Sequence, residues 1–369
     1  MTRPTLGALV EALARAFPLS WAEPWDRVGL LAGESGAPVT RVFVTLDPTP
    51  EALARAVSAG AQVLLTHHPA FLDAPALLSA PGMAGVPHDA VRSGVALVAM
   101  HTNLDRAPAG AEALPLAVGL PAGEPLERSL EPLAVVVTYV PHEAAEAVRR
   151  AAAEAGAGRL GQYADCSFSS PGEGSFTPLS GSAPAVGVAG VPEIAEETRV
   201  EALCARADAD RVAEAIRAAH PYDEPVVIVA EARRARGCAR MGRLSQAPAG
   251  STLGGFARTV GQRLGVRVTV WGDPESGVRV VATAPGSGRS LVADALTAGA
   301  DVLLTGELRY HEALDALGRG LAVIEAGHDA TEWPLVPVLA EAAARTPGLE
   351  AGAVIVDVAR TAWWTTEGS

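Results

Sequence analysis

The feature that most constrains this chain is an internal repeat, because self-similarity over a fixed length means one supersecondary unit built twice. Residues 41–66 read RVFVTLDPTPEALARAVSAGAQVLLT, and residues 279–305 read RVVATAPGSGRSLVADALTAGADVLLT. Each copy opens on a short β-branched run, turns at Pro or Gly and continues as an Ala-rich helix. Each ends in AGAxVLLT, a glycine-stopped helix followed by a buried strand. Farther on, GVALVAMHTNLD (94–105) parallels GLAVIEAGHDATE (320–332), a second apolar strand running into a polar turn. Alternating strands and helices predict an α/β fold with a mostly parallel sheet in each half, where ligands gather at the carboxyl ends of the strands.

At 369 residues the chain exceeds one compact core. The repeat assigns residues 1–129 and 234–369 to two related halves of one domain. The block between them, 130–233, reads differently. Strand-like runs at 133–140, 198–205 and 225–232 alternate with helical patterns at 143–155 and 208–220, and a Gly-, Ser- and Pro-rich stretch at 156–192 reads as a loop. The order β-α-loop-β-α-β predicts a small inserted α+β domain of ferredoxin-like type.

The polar clusters all fall at expected strand ends. His67 and His68 follow one strand in LLTHHPAF, and two adjacent imidazoles suit two neighbouring metal ions better than one, although the pair alone reads more readily as a hydrogen-bonded strand cap. His101 and Asp105 close the next strand in MHTNLD, where Asp105 supplies a hard oxygen; taken alone, the segment is equally good turn chemistry, with Asn103 and Asp105 making Asx turns. His328 and Glu332 hold the matching place in the second half, and at a spacing of four on a helix both side chains share one face. Corresponding positions in two related units turn these ambiguous signals into a common one. The expected ligands of two divalent ions are His67, His68, Asp105, His328 and Glu332, with the Glu332 carboxylate bridging the pair. Glu307 and His311, in TGELRYHEALDA, are candidates with His101 for orienting ligands or moving protons, against the plainer reading of a solvated helix face. Trp25 and Asp26 read as a rigid turn near the cleft, and APGSGRS (284–290) as a weak anion-holding turn.

Composition removes several classes. A net charge of -13 with scattered arginines leaves no basic stripe for nucleic acid. Cys166, Cys204 and Cys238 are far apart and in no CxxC pair, so neither a disulfide framework nor a thiolate zinc site is expected. No apolar stretch is long enough to span a bilayer and the N-terminal residues lack a signal-peptide core, so a cytoplasmic location is expected.

Taken in order, WDRVGLLAG, LLTHHPAF, HTNLD, PGSGRSLVADALTAGADVLLTGELRYH and GHDATE resemble the NGG-interacting-factor-like dinuclear metal-centre family, also known as GTP cyclohydrolase 1 type 2 homologues. The resemblance covers roughly 1–130 and 234–369. It implies the same five ligands, with Glu332 touching both ions, and a toroidal homohexamer arranged as a trimer of dimers. GAGRLGQYADCSF, GEGSFTP and AAHPYDEP make the middle block similar to the insert of the longer bacterial members, whose fold is like that of the trimeric PII and CutA proteins. Arg27 and Asp329 stand where the family commonly carries Asn and an aromatic or His.

Two functions follow from this reading. One is a metal-dependent hydrolase acting on a small nucleotide-like molecule, in its specific version a cyclohydrolase opening the imidazole ring of GTP. The other is a non-catalytic ring that stores or delivers metal, or a regulatory ring that binds an effector or protein partner. Histidine and carboxylate ligands accept zinc, iron, manganese or cobalt.

Overall fold

The computed structural model describes residues 3–73, 82–128, 130–161, 163–235 and 237–359. Residue 129, the expected end of the first half, Gln162 of the GAGRLGQYADCSF motif and the last ten residues of the second half lie outside the described residues.

The first part of the chain supplies α1 (Leu6–Ala16), β1 (Gly29–Ala32), β2 (Val42–Thr45), α2 (Pro50–Ser58), β3 (Val63–Thr66), α3 (Val86–Arg92) and β4 (Ala96–Ala99). These are followed by α4 (Thr102–Arg106), α5 (Pro108–Ala117) and β5 (Glu124–Pro125). The middle supplies β6 (Leu130–Pro141), α6 (Ala145–Glu154), β7 (Phe168–Phe176), β8 (Glu193–Ala205), α7 (Ala209–Ala219) and β9 (Val227–Ala235). The last part begins with β10 (Arg243–Gln246), α8 (Leu253–Leu264), β11 (Thr269–Trp271), β12 (Val280–Ser287), α9 (Val292–Thr297) and β13 (Val302–Glu307). It ends with α10 (Tyr310–Gly318), β14 (Ala322–Glu325), α11 (His328–Glu332), α12 (Leu335–Ala344) and β15 (Val354–Val356).

The elements form two compact units, Met1–Arg128 with Gly237–Ser369, and Ser129–Arg236. The first unit holds two sheets, ordered β1-β4-β3-β2-β15 and β11-β14-β13-β12-β10-β5. In each, three strands of the repeat run parallel: β2, β3 and β4 in one, β12, β13 and β14 in the other. Antiparallel β1, and antiparallel β10 and β11, flank these parallel cores. The register aligns Thr45 with Thr66 and Thr66 with Ala99, so Asp47, His67 and His101 all leave the sheet at one edge. Helices cover both faces, as parallel strands buried on two sides require.

The two halves are interleaved. β15 pairs in parallel with β2, and α12 packs Leu335, Val336 and Leu339 against Leu6, Leu9 and Leu13 of α1. Conversely, β5 pairs with β10, and Leu114 of α5 joins Val118, Phe256 and Val260 in the core of the second half. Periodicity does not show this exchange, because a strand's sequence states that it will be buried and not by which sheet.

The second unit is an antiparallel sheet of order β7-β8-β6-β9 with α6 and α7 against it, in the element order β-α-β-β-α-β. The stretch read as loop at 156–192 contains β7. Its FSSPGEGSF sequence offers no apolar alternation because β7 is an exposed edge strand, held by its register to β8 rather than by burial. Among the described residues no helix is long and apolar enough to cross a membrane.

Candidate metal centre

The ends of the parallel strands bring four histidines and two carboxylates together. His67 is fully buried, with its ring 4.9 Å from that of His68 and 5.1 Å from that of His101. His68 lies 5.5 Å from both His101 and His328. Asp105, on α4, approaches His67 Nε2 at 3.7 Å. Glu332, on α11, has Oε1 3.8 Å from His67 Nε2, while its Oε2 is 2.9 Å from His68 Nε2 and 3.1 Å from His328 Nε2. The five residues expected as ligands therefore lie in one cluster, with the two oxygens of Glu332 turned toward different histidines.

Each imidazole is held through its other nitrogen. His67 Nδ1 faces the Met100 carbonyl at 3.0 Å, His68 Nδ1 the Asp47 carboxylate at 2.7 Å, His101 Nδ1 Asp26 at 2.8 Å and His328 Nδ1 Glu307 at 3.2 Å. Partners on Nδ1 fix the ring orientation and leave Nε2 turned into the cluster, the arrangement that makes an imidazole a ligand.

Of the five buried side-chain atoms that lack an aligned hydrogen-bond partner among the described residues, three belong to the cluster: His67 Nε2, Asp105 Oδ1 and Glu332 Oε2. The short approaches of His68 and His328 to Glu332 Oε2 are thus contacts of distance rather than of hydrogen-bond direction. Burying such groups unsatisfied costs about 1–3 kcal/mol each. Donors about 2.0–2.1 Å from a tetrahedral ion stand roughly 3.3 Å apart, and the separations of 2.9 to 3.8 Å in the cluster bracket that value. A nitrogen and oxygen donor set of this kind fits a divalent ion of borderline softness.

Protonation follows from the same crowding. Burial opposes a charge on His68, but Asp47 and Glu332 outweigh it and raise its pKa to about 10. Glu332, and to a lesser degree Glu307, raise His328 to about 9 against its burial. Burial also pushes the Glu332 carboxyl up, yet His328, His67 and His68 together hold it well below the usual carboxylate range. Burial dominates at Asp105 and raises it, with the nearby Glu332 charge adding to the shift. Asp26 is held at about 2, because the His101 and Thr102 contacts exceed the effect of burial.

Glycine makes room for the glutamate. Gly286, at φ +60°, lies so close that a Cβ there would stand 2.1 Å from Glu332 Oε1 and 3.2 Å from His328 Nε2. Its N–H donates to Thr331 Oγ1 and its carbonyl accepts from Thr305 Oγ1, both at 3.0 Å. The Gly-rich turn read as an anion site is instead a backbone pressed against the candidate ligands.

The remaining candidates separate. Glu307 supports His328, and His101 stands inside the cluster, paired with buried Asp26. His311 is exposed on α10 with its ring 5.2 Å from Tyr310, and among the described residues it takes no part in the cluster. Asp47 escaped sequence reasoning, although its place two residues beyond the repeat strand that neighbours His67 was a usable signal. Asp26, read as part of a structural turn, also accepts from the Arg27 and Thr102 amides, so it both builds that turn and holds His101.

A family model described as Duf34/NIF3 (NGG1p interacting factor 3) matches residues 4–361. A Mycobacterium tuberculosis protein named "GTP cyclohydrolase 1 type 2 homolog" is 37% identical over 340 residues, covering 89% of this chain and 88% of the relative. The Halalkalibacterium halodurans protein of the same name is 33% identical over 325 residues, 87% of each chain. Among solved structures, a Bacillus cereus protein related to NIF3 superposes with a TM-score of 0.66 at 29% identity, covering 100% of both chains.

Proposed function

The chain belongs to the Duf34/NIF3 family, and from that premise we propose that it is a metal-dependent hydrolase acting on a small nucleotide-like molecule. His67, His68, Asp105, His328 and Glu332 would hold two divalent ions, zinc, iron, manganese or cobalt, with the Glu332 carboxylate shared between them. The observation that carries the reading is the set of three buried, unaligned donor atoms, His67 Nε2, Asp105 Oδ1 and Glu332 Oε2, in one four-histidine cluster. The relatives' shared name supports GTP ring opening as its specific version.

Ions bound there supply Lewis-acid polarisation of the reacting bond and acidify water. The chain's own residues do the rest. Glu332, with its two oxygens turned to His67 on one side and to His68 and His328 on the other, sets the spacing of the two sites. Asp26 holds His101 so that Nε2 accepts or returns a proton at the cluster, and Glu307 and Asp47 fix the rings of His328 and His68. His311 remains a candidate only for proton exchange farther out. The chain is read as two half-domains, 1–129 and 234–369, around a PII/CutA-like insert, 130–233, in a cytoplasmic homohexamer formed as a trimer of dimers. The insert's β-α-β-β-α-β order supports its part of this reading.

The decisive experiment combines elemental analysis of anaerobically purified protein with GTP turnover. Two ions per chain and ring opening are expected in the wild type. Glu332→Ala should lose both while its elution volume stays that of a hexamer. Wild-type turnover by the metal-free variant would overturn the proposal.

A further inference from the structure

Two of the insert's motifs, GEGSFTP and AAHPYDEP, play no part in the metal cluster, yet they converge on a cavity of about 630 Å³ within the second unit. That size falls in the range of about 300–1,000 Å³ usual for small-molecule sites. The rings of Phe176 and Tyr222, 6.0 Å apart and tilted by 58°, form one wall, and Tyr139 and Leu179 extend it. The acidic side chains lining the cavity are Glu197, Asp223 and Glu224, and none of its lining residues is a lysine or arginine. Among the described residues none of these three carboxylates is ion-paired.

The wall is built in place. Tyr222 O–H donates to Glu197 Oε1 at 2.9 Å, which fixes both the ring and the carboxylate. Gly174 leaves the space the other oxygen needs, because a Cβ there would stand 2.3 Å from Glu197 Oε2. His220, buried behind Tyr222 with ring centroids 5.0 Å apart, is locked at both nitrogens. Its Nε2 donates to the Tyr139 carbonyl at 2.9 Å and its Nδ1 accepts the Tyr222 N–H at 3.1 Å. Asp223 Oδ2 accepts the Ala183 N–H at 2.9 Å and ties the far loop to the same rim. Asp223 and Glu224 stand exposed at the rim, and Asp223 already accepts the Ala183 and Glu224 amides, so the charge that a ligand inside the cavity meets is that of half-buried Glu197. That charge repels an anion, whereas a cation with an apolar body answers both the aromatic wall and the Glu197 carboxylate.

We propose that this cavity is a binding site for a small organic cation, an ammonium group carried on an apolar or aromatic body, which stacks on Tyr222 and Phe176 and pairs with Glu197.

The test uses the full-length chain and three probes of matched shape: 2-phenylethylammonium, 2-phenylethanol and phenylacetate. Affinities are read by ligand-observed NMR and calorimetry. The cation is expected to bind about tenfold more tightly than the alcohol, the worth of one desolvated cation–π and ion-pair contact, and phenylacetate more weakly still. Glu197→Gln keeps an acceptor for the Tyr222 hydroxyl but removes the charge, so it should abolish the preference for cation over alcohol. Tyr222→Ala should weaken both probes. Equal binding of cation and alcohol to the wild type, a preference that survives Glu197→Gln, or no saturable binding of the cation would each overturn the assignment. Far-ultraviolet circular dichroism of both variants separates lost binding from lost fold.

Discussion

Replacing Gly286 by alanine tests the metal centre without removing any proposed ligand. The added methyl would start 2.1 Å from Glu332 Oε1, whereas real Cβ contacts essentially never fall under 3.0 Å. The carboxylate must therefore retreat by about 0.9 Å, well past the roughly 0.5 Å tolerance of a working ligand set. The backbone adds a separate cost, since an L-residue in the left-handed region loses roughly 1–2 kcal/mol. Gly299 isolates that second effect, because it sits at φ +71° where an added methyl would meet no atom within 4 Å. Metal-free Gly299→Ala should thus lose about 1–2 kcal/mol, read as the midpoint of urea unfolding, and metal-free Gly286→Ala that amount plus the cost of displacing the Glu332 carboxylate. Their metal binding should diverge. Displacing the carboxylate proposed to serve both ions should cost at least the 10–100-fold typical of disturbing a ligand's support, whereas Gly299→Ala should match the wild type. Competition against a chromophoric chelator under anaerobic conditions reads both affinities. Equal metal affinity in the two variants would refute the claim that Gly286 is glycine for the sake of Glu332.

Two further outcomes follow from the charges. His68 and His328 carry folded-state pKa values raised to about 10 and about 9 from 6.5, so their contribution to metal-free stability is complete below about 6.5 and is lost as pH rises through 9 to 10. Thermal melts of chelator-treated protein should fall across that window, and metal should bind more tightly as pH rises because the imidazoles must shed their protons; a flat profile would contradict the geometry. Arg106 is buried with Glu127 and reaches Glu23 and the Trp21 carbonyl. Arg106→Met leaves the Glu127 carboxylate without that partner and should cost about 3–5 kcal/mol in urea unfolding, with a loss under about 1 kcal/mol counting against the pair as a structural anchor.

Much of the centre is legible in the sequence because its residues follow repeat strands, where position alone implies convergence. His67 and His101 can be placed relative to one another because parallel strands of one sheet deliver their carboxyl ends to one edge, and the repeat gives His328 the corresponding place in the other sheet. Asp47 and Asp26 are harder, because an aspartate after a strand reads equally as turn chemistry, and only the distance to an imidazole distinguishes the two uses. Gly286 stands out in the sequence for the wrong reason: a Gly-rich turn before a helix suggests an anion, and nothing around it says that a glutamate 46 residues later needs the missing methyl. In the insert, β7 is invisible because an edge strand answers to its neighbour's backbone rather than to burial. The exchange of β5 and β15 between sheets is invisible for a related reason, since hydrophobic pattern specifies depth and not partner.

That exchange has a consequence for how the molecule is made. A ribosome releases the first sheet's central strands early, but the strand that closes their flank and the helix that seals their face are not synthesised until residues 335–356. Until then the nascent chain carries an open parallel edge and an uncovered row of leucines, a state prone to mispairing. The small middle unit, whose strands and helices are all contiguous, can close while its neighbour waits.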